Sequence, residues 1–213
     1  MMKDICRANL SRFLIRAISK IPETERSLIL DIGCGTGVPT LVLSNHLNGI
    51  IHAIDSDETL LRELDKKILK FGLTKRIFTF HKSVLEIDLP SQLYDIVLAE
   101  GLLNVIGFEK GLQIVNKIIK DDGYFIIHDE FAKHEEKLIL IDNYKYKIID
   151  SFIIDEKTWW NDYYKCLEEE IALTDDTNKS DIYENELKEI ESYKKQPQLF
   201  CSIYYVLQKR QFR

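Results

Sequence analysis

Leu10, Phe13, Leu14, Ala17, Ile18 and Ile21 recur at steps of three and one, which is one face of a helix that Pro22 ends. The run Leu28-Ile29-Leu30 then enters a glycine cluster, the pattern of a strand buried in a parallel sheet. Pro39 sits where the first turn of the next helix belongs, because its missing N–H costs nothing there. Residues 50–54 predict a second strand that closes at Asp55. Asp57 caps a helix carrying Leu60, Leu61, Leu64, Ile68 and Phe71, and Gly72 stops it. Strands follow near 77–80 and 94–98, then a helix through Leu112, Val115, Ile118 and Ile119. The Asp122-Gly123 turn leads into a fifth strand over 124–128, a helix near 132–141 and a sixth strand near 147–154. Repeated β-α units of this length predict an α/β fold, a parallel sheet with helices on both faces.

The rhythm breaks after that. Residues 156–197 hold two helical patterns and no strand; Trp160, Tyr164, Leu167 and Ile171 mark the first, and Ile182, Leu187, Ile190 and Tyr193 the second. A last strand over 199–207 is apolar on both faces, which suits an interior place in the sheet. The division expected is 1–155 for the sheet domain with an N-terminal helix, 156–197 for a helical insertion and 198–213 for the returning strand.

Between the first strand and its helix stands Asp31-Ile32-Gly33-Cys34-Gly35-Thr36-Gly37. Glycines there permit a tight turn and let a ligand lie against backbone N–H groups, beside the positive end of a helix. Asp55, closing the next strand, can accept both hydroxyls of a ribose. A nicotinamide-binding loop is the competing reading, but its Gly-x-Gly-x-x-Gly would place the third glycine one residue beyond Gly37. Bare turn glycines would leave Asp55 unexplained.

The stretch 28–37 resembles the first motif of class I S-adenosylmethionine (SAM) dependent methyltransferases, particularly the small-molecule group. The resemblance continues through Asp55, through Tyr94-Asp95-Ile96-Val97-Leu98 and through Asp122-Gly123-Tyr124, and covers about residues 25–155. It implies a Rossmann-like, seven-stranded, mostly parallel sheet with an antiparallel last strand, and SAM as the cofactor. By position, Asp31, Gly33, Cys34, Gly35 and Gly37 would surround the methionine part, Asp55 and Ser56 the ribose, and Ser83 and Val84 the adenine. Many relatives carry an acidic residue where Ser83 stands. Glu100 and Gly101 would border the sulfonium and the acceptor, with Glu100 the first candidate for a base. His128, expected to be structural, and Asp129 and Glu130 are further candidates. No metal is expected. Three carboxylates in one mouth could hold Mg²⁺, yet Glu100 and Glu130 both depart from the pattern of metal-dependent relatives.

Ligands of open α/β sheets lie at the carboxyl ends of the strands. If the last strand is antiparallel, both ends of the insertion reach that edge, and the insertion caps the site. Trp160 and Tyr164 are expected to glue it down, while Trp159 and Tyr163, on the adjacent stripe, are expected to line the substrate pocket. The insertion has twelve Asp and Glu against six Lys, which equals the formal charge of −6 of the whole 213-residue chain. Such a surface, with no Asn-Pro-Pro-Tyr run after the fourth strand, argues against nucleic acid as partner. The expected partner is a small-molecule methyl acceptor. A non-catalytic SAM-binding sensor and an aminopropyl transferase on the same scaffold are the alternatives.

Cys6, Cys34, Cys166 and Cys201 form no Cys-x-x-Cys pair, so neither zinc, a redox motif nor a disulfide-stapled secreted scaffold is expected. No apolar run reaches membrane-spanning length and no signal-peptide core is visible. The cytoplasm is the expected setting.

Overall fold

A computed structural model describes residues 2–174 and 183–211. Seven strands form one sheet in the order β3-β2-β1-β4-β5-β7-β6. They are β1 (Ser27–Ile32), β2 (Gly49–Asp55), β3 (Ile77–His81), β4 (Tyr94–Glu100), β5 (Ile119–Glu130), β6 (Tyr146–Ile154) and β7 (Ser202–Lys209). β1 to β5 pair in parallel, while β7 lies between β5 and β6 and is antiparallel to both. This is the Rossmann-like sheet with an antiparallel last strand, and β7 is interior, as its two apolar faces require.

The helices divide the sheet's apolar side chains into two layers. Ile29, Ile51, Ile96, Leu98, Ile126 and Val206 pack with α2 (Ser11–Ile18), α3 (Val38–His46) and α4 (Glu58–Lys70). Leu30, Ile32, Val97, Phe125, Ile127 and Leu207 pack on the other face with α5 (Leu103–Ile106), α6 (Phe108–Ile118) and α7 (His134–Asn143). Asp57 caps α4 through its side chain, accepting from Thr59 N at 2.8 Å and Leu60 N at 3.3 Å.

Three elements differ from the sequence expectation. The N-terminal stretch is two helices, α1 (Met2–Ala8) and α2, because the chain turns at Asn9 and Leu10. β5 starts at Ile119, and Asp122-Gly123 is an irregularity inside it, with Asp122 at φ 61° and the β4 register jumping from Tyr94 to Ile96. β7 starts at Ser202, since Pro197–Phe200 is wound into a 3₁₀ turn and pairing with β5 begins at Glu130↔Ser202.

β6 runs parallel to β5, ends at Ile154 opposite Ser202, and delivers the insertion to the carboxyl edge. The insertion continues as α8 (Glu156–Trp159), a π-helical turn (Trp160–Tyr164), α9 (Lys165–Leu173) and α10 (Glu184–Lys195). Residues 175–182 of the expected cap, Ile182 among them, and 212–213 lie outside the described residues. Tyr163, Tyr164, Leu167, Ile171, Ile190 and Tyr193 make a third core with Cys6 and Leu10, so α1 belongs to the insertion's packing. Cys6 and Cys166 are disulfide-bonded across 160 residues, a pairing that their spacing did not predict. Among the described residues no helix is long and apolar enough to cross a membrane.

Candidate functional site

The loop after β1 is held to β2 by its backbone: Gly33 N and Cys34 N both donate to Ile54 O, at 2.8 and 3.1 Å. Gly35 has φ 53°, and a Cβ added to it would meet nothing within 4 Å; it faces open space. A backbone without a side chain at that point is what a closely lying ligand needs. Gly37, the residue before α3, has φ 82°, and its Cβ would fall 2.2 Å from Leu64 Cδ1. Asp55 joins the loop to α4, its Oδ2 accepting from Gly35 N at 2.8 Å and its Oδ1 from Asp57 N at 2.9 Å. Asp31 lies beneath the loop, 1% exposed, and accepts from Thr40 Oγ1 at 2.6 Å. Burial, together with the charges of Glu100 and Asp55, outweighs that bond and pushes Asp31 up to about 7. Burial also pushes the Cys34 thiol up.

α1 closes this loop from outside. Asp4 accepts from Thr36 Oγ1 and from Lys67 Nζ, and Lys67 also donates to Thr36 O at 2.7 Å. Arg7, on the same helix, donates from Nη2 to Glu100 Oε1 at 3.0 Å. The result is a cleft of about 420 Å³ lined by Lys3, Arg7, Gly33, Gly35, Glu100 and Tyr163, among others. Ser56, His81 and Ser83 line a separate cleft of about 440 Å³ beyond Asp55.

A second cleft, about 370 Å³, opens on the far side of Arg7, over the ends of β4 and β5 and the start of β7. Its lining includes Gly101, His128, Trp159, Tyr164, Phe200 and Ser202. Register explains why these meet: Glu100 pairs with His128, His128 with Tyr204, and Tyr204 with Phe152, one residue per strand on one face. The Tyr204 ring stacks on His128 with centroids 4.3 Å apart, and its hydroxyl donates to Glu100 Oε2 at 2.8 Å. Burial works to raise the Glu100 pKa, but Arg7, His128 and Tyr204 outweigh it and hold the carboxyl below its ordinary value. Burial drives His128 down to about 4 despite Glu100, so the ring is neutral at pH 7.

The expected site residues therefore divide. Gly33, Cys34, Gly35 and Glu100 line the first cleft, with Asp55 bonded to its loop and Asp31 below it. Val84 is buried and Ser83 caps a short 3₁₀ turn. Trp159 and Tyr163, expected in one pocket, line different clefts, and Tyr164, expected as glue, lines the second. Trp160 stacks on Tyr193. The three carboxylates do not gather: Glu100 borders the first cleft, while Asp129 and Glu130 border the second. Buried Lys137 pairs with Asp129 at 2.7 Å. Among the described residues no group of three His, Cys, Asp or Glu is placed to hold a metal ion. Lys3 and Arg7 were not foreseen at all; only their spacing of four on a short helix hinted at a shared face.

Comparison with known proteins points the same way. Residues 29–123 match the family model described as a methyltransferase domain. The chain is 28% identical over 138 residues to the probable S-adenosylmethionine-dependent methyltransferase CRG1 of Saccharomyces cerevisiae, covering 62% of this chain and 46% of that one. It is 27% identical over 160 residues to the ubiquinone/menaquinone biosynthesis C-methyltransferase UbiE of Shewanella oneidensis, covering 70% and 61%. The chain thus spans less than two thirds of the length of these two relatives. The solved structure of the [4+2]-cyclase SpnF superposes with a TM-score of 0.81 at 15% identity, over 94% of this chain and 81% of that one.

Proposed function

We propose that the chain is a class I SAM-dependent methyltransferase that transfers a methyl group from SAM to a small molecule, a reading supported by the matching methyltransferase-domain model and the methyltransferase relatives. The observation that carries the reading is the Gly35–Asp55 junction. A side-chain-free, positive-φ residue faces open space, tied to a carboxylate at the end of β2. In this reading Gly33, Cys34, Gly35 and Gly37 form the methionine cradle, with Asp31 supporting it; Lys3, paired with Glu186 and Glu189, and Arg7, paired with Glu100, line the same cleft. Asp55 and Ser56 hold the ribose, and Ser83 and Val84 edge the adenine.

When bound, SAM supplies a methyl group activated by its sulfonium. In-line displacement then needs alignment and exclusion of water more than a strong catalyst. α1 and the insertion exclude water: Asp4 and Lys67 hold α1 over the loop, and Tyr163 and Tyr164 are buried beneath it. Glu100 acts as an anchor, since one oxygen is taken by Arg7 and the other by Tyr204. A carboxylate so engaged, with its proton affinity lowered, is a poor base. Arg7 lines both clefts, and Glu100 fixes it at their junction. We place the protein in the cytoplasm, where thiols are kept reduced and the Cys6–Cys166 bond would be a transient form of the pair.

The test is turnover of SAM to S-adenosylhomocysteine (SAH) with a panel of small metabolites. Acceptor-dependent SAH formation is expected. Tight SAH binding with no turnover on any acceptor would favour the non-catalytic reading instead.

A further inference from the structure

His128 has an unanswered hydrogen-bonding need. The residue is 4% exposed, and Ser202 Oγ lies 2.9 Å from its Nε2. Trp159 Nε1, which can only donate, gives its proton to the same Ser202 Oγ at 2.9 Å. Directing the one proton of Ser202 to His128 Nε2 completes this relay, and it assigns the proton of the neutral ring to Nδ1. Nδ1 is buried and has no partner among the described residues. The ring cannot turn to find one, because Tyr204 stacks on it at 4.3 Å and Trp159 at 5.9 Å, both within 10° of parallel. A buried donor held rigid without an acceptor is destabilising, and it calls for a ligand or water to meet it.

Arg7, whose side chain is 31% exposed, also has donors to spare. Its Nη2 bonds Glu100, and the guanidinium makes no other hydrogen bond among the described residues, although it lines the same cleft. A planar fork with N–H groups to spare suits an oxygen acceptor. No hydrogen bond joins the nearby carboxylates to His128 Nδ1. Glu100 is engaged twice, Asp129 pairs with Lys137 through Oδ2 while its buried Oδ1 has no hydrogen-bond partner among the described residues, and Glu130 is exposed at the rim. Trp159, Tyr164, Leu199 and Phe200 give the cleft flat or apolar walls, and Asn104 and Cys201 complete its lining.

The geometry points to the second cleft as the methyl-acceptor site, built for a planar, largely apolar molecule that presents a hydrogen-bond-accepting oxygen to His128 Nδ1–H. A carboxylate or a phenolic oxygen satisfies that donor; an ammonium group presents only donors to it. The inference rests on the methyltransferase reading and names the class of its acceptor. His128 is the specificity-determining residue, acting as a neutral donor.

The test uses the full chain saturated with SAH, and titrates 2-naphthoate, 2-naphthol and the ammonium compound 2-naphthylmethylamine by calorimetry. The two oxygen probes should bind at least about tenfold more tightly than the ammonium, a difference one hydrogen bond can supply. His128→Phe, which keeps a stacking ring without the donor, should weaken 2-naphthoate about tenfold and leave SAH affinity unchanged. His128→Asn, whose amide can place a donor near the Nδ1 position, should recover part of the loss. ¹⁵N shifts of His128 should report a neutral ring protonated at Nδ1. Equal or tighter binding of the ammonium probe, failure of every probe to bind, or wild-type affinity for 2-naphthoate in His128→Phe would overturn the assignment. Failure of SAH itself to bind would count against the cofactor reading, and it is measured separately, before any probe is added.

Discussion

Asp31→Asn should make the protein more stable at alkaline pH while weakening its hold on SAH. Asp31 is 1% exposed and its pKa lies at about 7, against 3.8 for an unburied aspartate. Burial is the main cause, opposed by the Thr40 hydroxyl and reinforced by the charges of Glu100 and Asp55. Between pH 3.8 and 7 the folded chain therefore holds a proton that the unfolded chain releases, so stability falls as pH rises through that window and levels off above it. At about 1.4 kcal/mol for each tenfold change in proton affinity, the loss approaches about 4 kcal/mol. Asparagine carries no charge and its Oδ1 can still accept from Thr40. At pH 8.5 the variant should gain about 2–4 kcal/mol, or roughly 5–15 °C in melting temperature for a chain of this size. Below about pH 4 the two proteins should converge. Melting curves from pH 3.5 to 9 read this out, with SAH titrations at pH 8.5 beside them. A variant whose stability falls with pH as steeply as wild type would refute the placement of the buried charge.

Other predictions concern the loop and the disulfide. Gly37→Ala must both adopt φ 82° and place a Cβ 2.2 Å from Leu64 Cδ1, so denaturant unfolding should show a loss of about 2–4 kcal/mol. Gly35→Ala meets no atom within 4 Å and should cost only about 1–2 kcal/mol, the strain of its φ of 53°, yet weaken SAH binding because its methyl enters the cleft. Reduction of Cys6–Cys166 should lower stability by about 2–5 kcal/mol, because the bond closes a loop of 160 residues. Calorimetry with and without reductant, with Cys6→Ser as the permanent reduced form, checks it; an unchanged melting temperature in both would mean that the bond does not form.

The sheet and the glycine loop after β1 were legible because their signals are local. A strand buried on both faces must be a continuous apolar run, and a loop that meets a ligand through its backbone must carry glycine, so residues 28–37 announce themselves. The interior position of β7 was legible for the same reason. α1 was not: seven residues make two turns, too few for a period to stand out, and its place is set by contacts such as Arg7–Glu100, 93 residues apart. Reading the insertion's aromatics by helical phase separated Trp160 and Tyr164 from Trp159 and Tyr163. The π-helical turn at Trp160–Tyr164 adds a residue to that turn and shifts the phase, so Tyr163 and Tyr164 are both buried and face different clefts. The engagement of Glu100 was not legible for a related reason. Its position after β4 is local, but Arg7, which pairs with it, and Tyr204, which donates a hydrogen bond to it, come from the two ends of the chain.

Binding of the cofactor product decides between this account and its nicotinamide rival. SAH at a hundred times its dissociation constant should stabilise the fold by about 2.7 kcal/mol. That is roughly 5–11 °C in melting temperature. NAD should give no shift, and Asp55→Ala should lose most of the SAH response, because the residue that bonds Gly35, and that we propose holds the ribose, is gone. A shift with NAD and none with SAH would contradict the account.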